Sequence, residues 1–328
     1  MQNTDINSIF NLQPNTFEEL ALDVFRHQAA TVPIYKAFLE LLHCNSMKVD
    51  CIKKIPFLPI SFFKTHTITA ASVHIAQTFV SSGTTQSIRS QHHVVDISYY
   101  DKSIDKAFTY FFGNLSDYCV IGLLPSYVEN KNASLIYMVN RWMRLSNHAN
   151  NGMYLNDYTA LKNTLLQLKA NKKKTILIGV TFALLDFIKD FSIDFKELII
   201  IETGGMKGRG SDIDRETLHS LLLQSFQQSI IGSEYGMTEL LSQSFMFDNS
   251  NFKSPHWKKI LIRERDDPFA VGLLNKAGGV NCIDLANYNS CSFIATDDLG
   301  IAYADGSFSI LGRLDNSELR GCNQLVLY

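Results

Sequence analysis

The chain has no uninterrupted apolar run approaching the roughly 18 residues that a membrane-spanning helix needs, so none of it reads as a membrane span. Its opening residues, MQNTDINSIFNLQPN, contain neither a basic n-region nor an apolar h-region, and the expectation is a cytoplasmic protein. Charge of one sign is scarce as well: 30 Lys and Arg face 32 Asp and Glu, for a net charge of -2, and the one like-charge block is Lys172–Lys174. That balance argues against nucleic acid as the main partner. The 6 cysteines, at 44, 51, 119, 282, 291 and 322, show no CxxC spacing. This argues against a zinc ribbon, the length argues against a small disulfide scaffold, and reduced thiols are expected. GxxxxGK[ST] appears nowhere and no GxGxxG follows a strand, which excludes the commonest nucleotide-binding loops. Without an internal repeat, a low-complexity tract or a Gly/Ser linker, one unit with subdomains is expected rather than independent domains.

The 328 residues are 46% hydrophobic, enough for a large core. In TFEELALDVFRHQ, Phe17, Leu20, Ala21, Val24 and Phe25 recur at helical spacing, and Thr16 with Glu19 makes a capping-box pattern. A second helical pattern, YKAFLELL, precedes IPFLPISFFKTH, whose prolines favour an extended, partly buried connection. From Tyr118 short apolar runs alternate with helical stretches: YCVIGLLP, TILIGV and ELIIIET against SLIYMVNRWMRL, TFALLDFIKD and DRETLHSLLLQSF. This predicts an α/β fold with a parallel sheet flanked by helices. After about Phe247 the helical stretches stop, and KKILIRERD, CSFIATDDLG, IAYADG and SFSILGR predict a smaller antiparallel β subdomain with a tight turn at Asp305-Gly306. The expected division is 1-247 for the α/β part and 248-328 for the β-rich part.

Three segments carry residues suited to chemistry. Ser81-Ser82-Gly83-Thr84-Thr85 follows the apolar IAQTFV, and a loop of this kind wraps phosphates with converging N–H groups and hydroxyls. The same five residues also make an ordinary polar turn. Tyr235-Gly236-Met237-Thr238-Glu239 follows SIIGS and supplies a ring for a purine, a hydroxyl for a phosphoryl oxygen and a carboxylate for Mg²⁺. Its bland alternative is a helix start capped by Thr238 and Glu239. Thr296-Asp297-Asp298 and Gly312-Arg313 add carboxylates for ribose hydroxyls and a cation for phosphate or ribose, or else a pair of hairpin turns. His92 and His93 follow the first segment; alternation turns one inward.

Taken in this order, the segments resemble the adenylate-forming superfamily of acyl-CoA synthetases, luciferases and peptide-synthetase adenylation domains. The resemblance is nearer to the acyl-protein synthetase (LuxE) family and its phenylacetate-CoA ligase relatives in IPFLPISFFK, FVSSGTTQSIRSQHHVVD, IETGGMKGR, YGMTELLSQ and DNSELRGCN. It implies the large N-terminal domain of such an enzyme, ATP and Mg²⁺ as cofactors, and a carboxylic or fatty acid as substrate. It also implies transfer of the acyl group to a protein thiol, a carrier protein, a reductase partner or coenzyme A. Carried over, Ser81, Ser82, Gly83, Thr84 and Thr85 contact phosphate, with Thr84 counted as catalytic. Tyr235, Gly236 and Thr238 contact adenine and phosphate, and Glu239 holds the metal. Asp298 and Arg313 contact ribose, Gly204 and Gly205 approach adenine, and Cys322 accepts the acyl group.

The chain also departs from the superfamily pattern. Gln86 stands where a glycine is usual, Arg89 is the nearest cation to that loop, and TGD appears as Thr296-Asp297-Asp298. Only Leu314 to Tyr328 follow Arg313, so the mobile C-terminal domain with its lysine is expected to be absent; Lys64 and Lys207 are candidates to supply the missing positive charge. A catalytically weak nucleotide-binding subunit of a complex is the remaining alternative.

Overall fold

A computed structural model describes residues 6–81, 88–125, 132–204, 213–247 and 250–314. The N-terminal layer consists of α1 (Ile6–Phe10), α2 (Phe17–Thr31) and α3 (Pro33–Leu41), followed by β1 (Leu58–Pro59) and α4 (Phe62–Thr65). The expected capping box is not formed: Thr16 makes no side-chain cap bond, and its hydroxyl instead donates to the Gln13 carbonyl in a preceding 3₁₀ turn (3.0 Å). Glu18 rather than Glu19 has a backbone partner, accepting from the Ile52 N–H at 3.1 Å.

Next come the hairpin β2 (Gln77–Val80) and β3 (Gln91–Val94), then α5 (Ile97–Phe112). The α/β alternation follows as β4 (Cys119–Leu123), α6 (Ser134–Ser146), β5 (Gly152–Tyr154), α7 (Tyr158–Ala170), β6 (Thr175–Val180), α8 (Thr181–Asp190), β7 (Leu198–Thr203), α9 (Arg215–Ser225), β8 (Ile230–Tyr235) and β9 (Ser244–Phe247). These strands form one sheet in the order β5-β4-β6-β7-β8-β9, parallel except for β9. Every residue of β4 and β6 is buried, as continuous apolar strands covered on both faces must be.

The last sheet contains β10 (Lys258–Arg263), β11 (Val271–Leu273), β12 (Gly278–Asp284), β13 (Phe293–Ala302) and β14 (Phe308–Arg313). The order is β1-β13-β12-β10-β11 with β14 on β13, antiparallel throughout except that β1 pairs with β13 in parallel. Leu58–Pro59 therefore joins a sheet built more than two hundred residues later in the chain, and the proline sits on the edge strand, where no N–H is needed. CSFIATDDLG and IAYADG form the single strand β13, and Asp305-Gly306 turns it into β14 with Gly306 at φ +83°.

Candidate active site

The site forms where the C-terminal ends of β7 and β8 meet β3 and the β13–β14 hairpin. Phosphate-loop candidates Ser82, Gly83, Thr84 and Thr85 lie outside the described residues, as do Gly205, Lys207 and Cys322. Ser81 is described at the end of β2. Its N–H donates to the Ser90 carbonyl (3.0 Å) and its hydroxyl accepts from the Ser90 N–H (3.0 Å), so the β2–β3 pairing extends to Ser81 and Ser90. Ser90 is buried and its side chain lies beside the Glu239 carboxyl, which joins this base to the second segment.

After Tyr235 the chain makes a turn, with the Leu240 N–H donating to the Met237 carbonyl, and no helix starts there. Three side chains from elsewhere hold the turn's backbone. His92 Nδ1 donates to the Thr238 carbonyl at 3.0 Å, and Asn287 Nδ2 donates to the Glu239 carbonyl at 2.8 Å. Asp284 Oδ2 accepts from the Leu241 and Ser242 N–H groups, both at 2.9 Å. Burial lowers the His92 pKa to about 4, so at neutral pH the ring is uncharged, with its proton on Nδ1 because a carbonyl only accepts. His93 is the outward member of the pair, only half-buried and bonded to Thr78 Oγ1.

Glu239 is 5% exposed. Burial raises its pKa; Ser90, its own backbone and the positive charges of Lys64 and Arg313 pull the other way. The Lys64 field reaches Glu239 from the short helix α4, and Arg89 is exposed. Among the described residues no cluster of three His, Cys, Asp or Glu side chains is arranged to hold a metal. A lone desolvated carboxylate nonetheless suits Mg²⁺, which binds through one or two carboxylates plus substrate phosphates.

The third segment meets the second directly. Tyr235 Oη donates to Asp298 Oδ2 at 2.8 Å, and Arg313 Nη1 donates to Asp298 Oδ1 at 3.2 Å. Asp298 and Arg313 are register partners across β13 and β14. The pairing of β12 and β13 shifts between Gly279/Asn281, opposite the stretch from Leu299 to Ala295, a bulge that re-aims Thr296–Asp298. Asp298 is buried, which raises its pKa against the opposing influence of Tyr235 and Arg313, while the Arg313 side chain, paired with Asp298, is 73% exposed. Gly204 closes β7 at φ +64°, a conformation that favours glycine.

Beneath these groups lies a buried charged layer that the sequence reading missed. Thr203 Oγ1 donates to Glu234 Oε2 at 2.6 Å, tying β7 to β8, and a β-carbon at Gly236 would collide with Glu234 Oε1. Lys258, 4% exposed, donates from Nζ to the Ser242 carbonyl at 2.9 Å and lies 5.3 Å from the Tyr235 ring centroid. The available signal was alternation: Lys258, Ile260 and Ile262 share one face of β10, and all three are buried. Desolvation raises the Glu234 pKa to about 7, with Glu202 raising it further and Thr203 and Lys258 lowering it.

The folded protein therefore holds the Glu234 proton to higher pH than the unfolded chain does. Its contribution to stability is full below the unfolded carboxylate range near 4.5 and declines as pH rises through about 7. Comparing wild type with Glu234→Gln from pH 5 to 8 by denaturant melts should show a relative gain for the variant of at most about 3 kcal/mol towards pH 8. A constant difference across that range would remove Glu234 as the titrating group.

In fold, the chain is similar to adenylate-forming acyl-CoA ligases. A 2-hydroxyisobutyryl-CoA ligase, solved with 2-HIB-AMP and CoA, superposes with a TM-score of 0.65 at 10% identity, over 94% of this chain and 71% of that one. ATP-bound MatB from Rhodopseudomonas palustris gives 0.52 at 15% identity, over 73% of this chain and 48% of that one. A long-chain-fatty-acid-CoA ligase from Archaeoglobus fulgidus gives 0.51 at 13%, over 75% and 52%. The chain thus spans about half the length of MatB (48%). No curated protein matches it. The family is defined by sequence: the model "Acyl-protein synthetase, LuxE" matches residues 8–327, and the chain belongs to that family. No helix among the described residues is long and apolar enough to cross a membrane.

Proposed function

We propose that this protein activates a carboxylic acid, most simply a fatty acid, with ATP and passes the acyl group to a protein thiol. The observation that carries the reading is the bonded set Tyr235–Asp298–Arg313 with Glu239 alongside, because its Tyr235–Asp298 bond joins motifs 63 residues apart in the chain. The solved ligases that share the fold include ATP-bound MatB, which supports ATP as the co-substrate.

In this mechanism Asp298 accepts hydrogen bonds from the ribose hydroxyls, Tyr235 offers its ring to adenine, and Thr238 donates to a phosphoryl oxygen. Bound Mg²⁺, held by Glu239, would neutralise charge on the triphosphate. A carboxylate oxygen of the acid attacks the α-phosphorus, the bond to the β-phosphate oxygen breaks, and pyrophosphate leaves with that electron pair. Lys64 and Arg313 supply positive potential near the developing charge. The thiolate of Cys322 then attacks the acyl carbon, a thioester forms, and AMP leaves.

Incubating Cys322→Ser with labelled long-chain acid and ATP separates the two half-reactions. The expected result is loss of at least about nine-tenths of hydroxylamine-labile label on the protein, with acid-dependent ATP–pyrophosphate exchange retained. Undiminished labelling would show that Cys322 is not the acceptor. Turnover that depends on added coenzyme A or carrier protein would assign the acceptor there.

A further inference from the structure

Arg215 opens α9 and reaches three other parts of the fold. Its Nε lies 3.8 Å from Glu202 Oε1 on β7, and its Nη1 donates to the Ile310 carbonyl of β14 at 3.5 Å. Its guanidinium carbon sits 5.0 Å from the centroid of the Phe252 ring, within cation–π range. One turn further along the same helix face, His219 Nε2 and Ser233 Oγ of β8 are hydrogen-bonded at 3.0 Å, so α9 is fastened to β8 as well. Glu202 is 8% exposed and also accepts from Thr181 Oγ1 at 3.3 Å, which gives the guanidinium a fixed, buried counter-charge.

Two of these contacts lead into the nucleotide constellation. The β13–β14 ladder pairs Gly300 with Ile310 and Leu299 with Gly312, which leaves Leu311 as an extra residue on β14. A bulge of this kind re-aims the residues that follow it. Here it brings Arg313 opposite Asp298, and Gly312, at φ +142°, absorbs the change in backbone direction. The Ile310 carbonyl that Arg215 holds is the last one before the bulge. Phe252, under the guanidinium, exchanges backbone bonds with Phe308 at 2.8 and 3.0 Å, and their stacked rings lie 5.4 Å apart. Both rings pack on Tyr235, at 5.9 and 5.5 Å between centroids. Arg215 thus reaches Tyr235 through Phe252, and Arg313 through Ile310.

We infer that Arg215 is a positioning residue for nucleotide binding, holding the β14 bulge and the Phe252 ring so that Tyr235, Asp298 and Arg313 meet in the arrangement that receives a nucleoside. The inference rests on the nucleotide reading above and adds to it a residue outside the three segments that the motifs marked. Arginine is required because a planar fork bonds a carbonyl and a carboxylate while its face covers a ring, which an ammonium group cannot do.

Calorimetric titration of the full chain with Mg-ATP and with AMP, alongside ATP–pyrophosphate exchange, tests it. Arg215→Met should weaken both nucleotides by the same factor, about tenfold, and raise KM for ATP to match, while kcat and KM for the acid stay within about twofold of wild type. Arg215→Lys should resemble the methionine variant. Because methionine also strips Glu202 of its counter-charge, Arg215→Met is measured again together with Glu202→Gln, which keeps an oxygen for Thr181. The double variant should melt close to wild type and still show the loss in nucleotide affinity. Affinity that returns with stability would make Arg215 a structural counter-charge and overturn the inference. So would unchanged affinity in Arg215→Met, or a loss confined to ATP, which would place the guanidinium on the outer phosphates. Wild type that binds both nucleotides but exchanges with no acid removes the activation reading alone, and the equal loss in Arg215→Met then still supports the positioning role. Exchange in wild type with an unaltered KM for ATP in the variants removes only the positioning role, and wild type that binds neither nucleotide removes both.

Discussion

Glu239→Gln should lower acid-dependent ATP–pyrophosphate exchange by about 10²- to 10³-fold while leaving the melting temperature nearly unchanged, the scale seen when one group that stabilises developing charge is removed. The amide is close in size to the carboxylate and keeps an oxygen for Ser90, so the packing at this buried position survives. What it loses is the negative charge that the proposed function assigns to holding the metal against the triphosphate. Because desolvation already opposes ionisation of Glu239, the neutral amide carries no folding penalty. Exchange within threefold of wild type would remove Glu239 from the metal role.

Lys258→Met should act on stability instead, with an expected loss of about 3–5 kcal/mol in denaturant unfolding. Lys258 is the buried cation facing Asp284 and Glu234, and burial lowers its own pKa while those acids raise it. Methionine fills the stem's volume but leaves two desolvated acids without a counter-charge and the Ser242 carbonyl without its donor. Asp284 is the more exposed to this change, since it accepts from Leu241, Ser242 and Ala286 and so fixes the turn carrying Glu239. Adding Glu234→Gln, which removes the other acid's charge and keeps an oxygen for Thr203, to Lys258→Met should recover part of the loss, a coupling that a double-mutant cycle reads directly. Unchanged stability in Lys258→Met would mean that the buried layer is not balanced by this lysine.

The parts of the fold legible in the sequence were those whose burial is locally continuous. YCVIGLLP, TILIGV and ELIIIET became β4, β6 and β7 because strands covered on both faces need unbroken apolar runs. The candidate site residues Tyr235, Asp298 and Arg313 were legible as motifs, and their meeting follows from β8 pointing at the β13–β14 hairpin. Long-range choices were not legible. Nothing near Leu58–Pro59 announces a partner at Ile294 and Ala295. The α5 sequence ISYYDKSIDKAFTYFF is rich in aromatics that suit strands equally well, and burial of Tyr99, Tyr100, Ile104 and Phe108 on one face decides for helix. At Thr16 the local capping pattern lost to a 3₁₀ turn that gave the hydroxyl another acceptor. Glu234 and Lys258 come within electrostatic reach of each other only in the folded chain, where each shifts the other's pKa.

ATP–pyrophosphate exchange with Mg²⁺ and a panel of short, long and aromatic carboxylic acids tests the central claim most directly, because it reports adenylation without requiring the acyl acceptor. The account predicts exchange that depends on the acid, favours long chains and is lost in Glu239→Gln. ATP binding with no exchange for any acid would contradict it, leaving a nucleotide-binding subunit that works only within a complex.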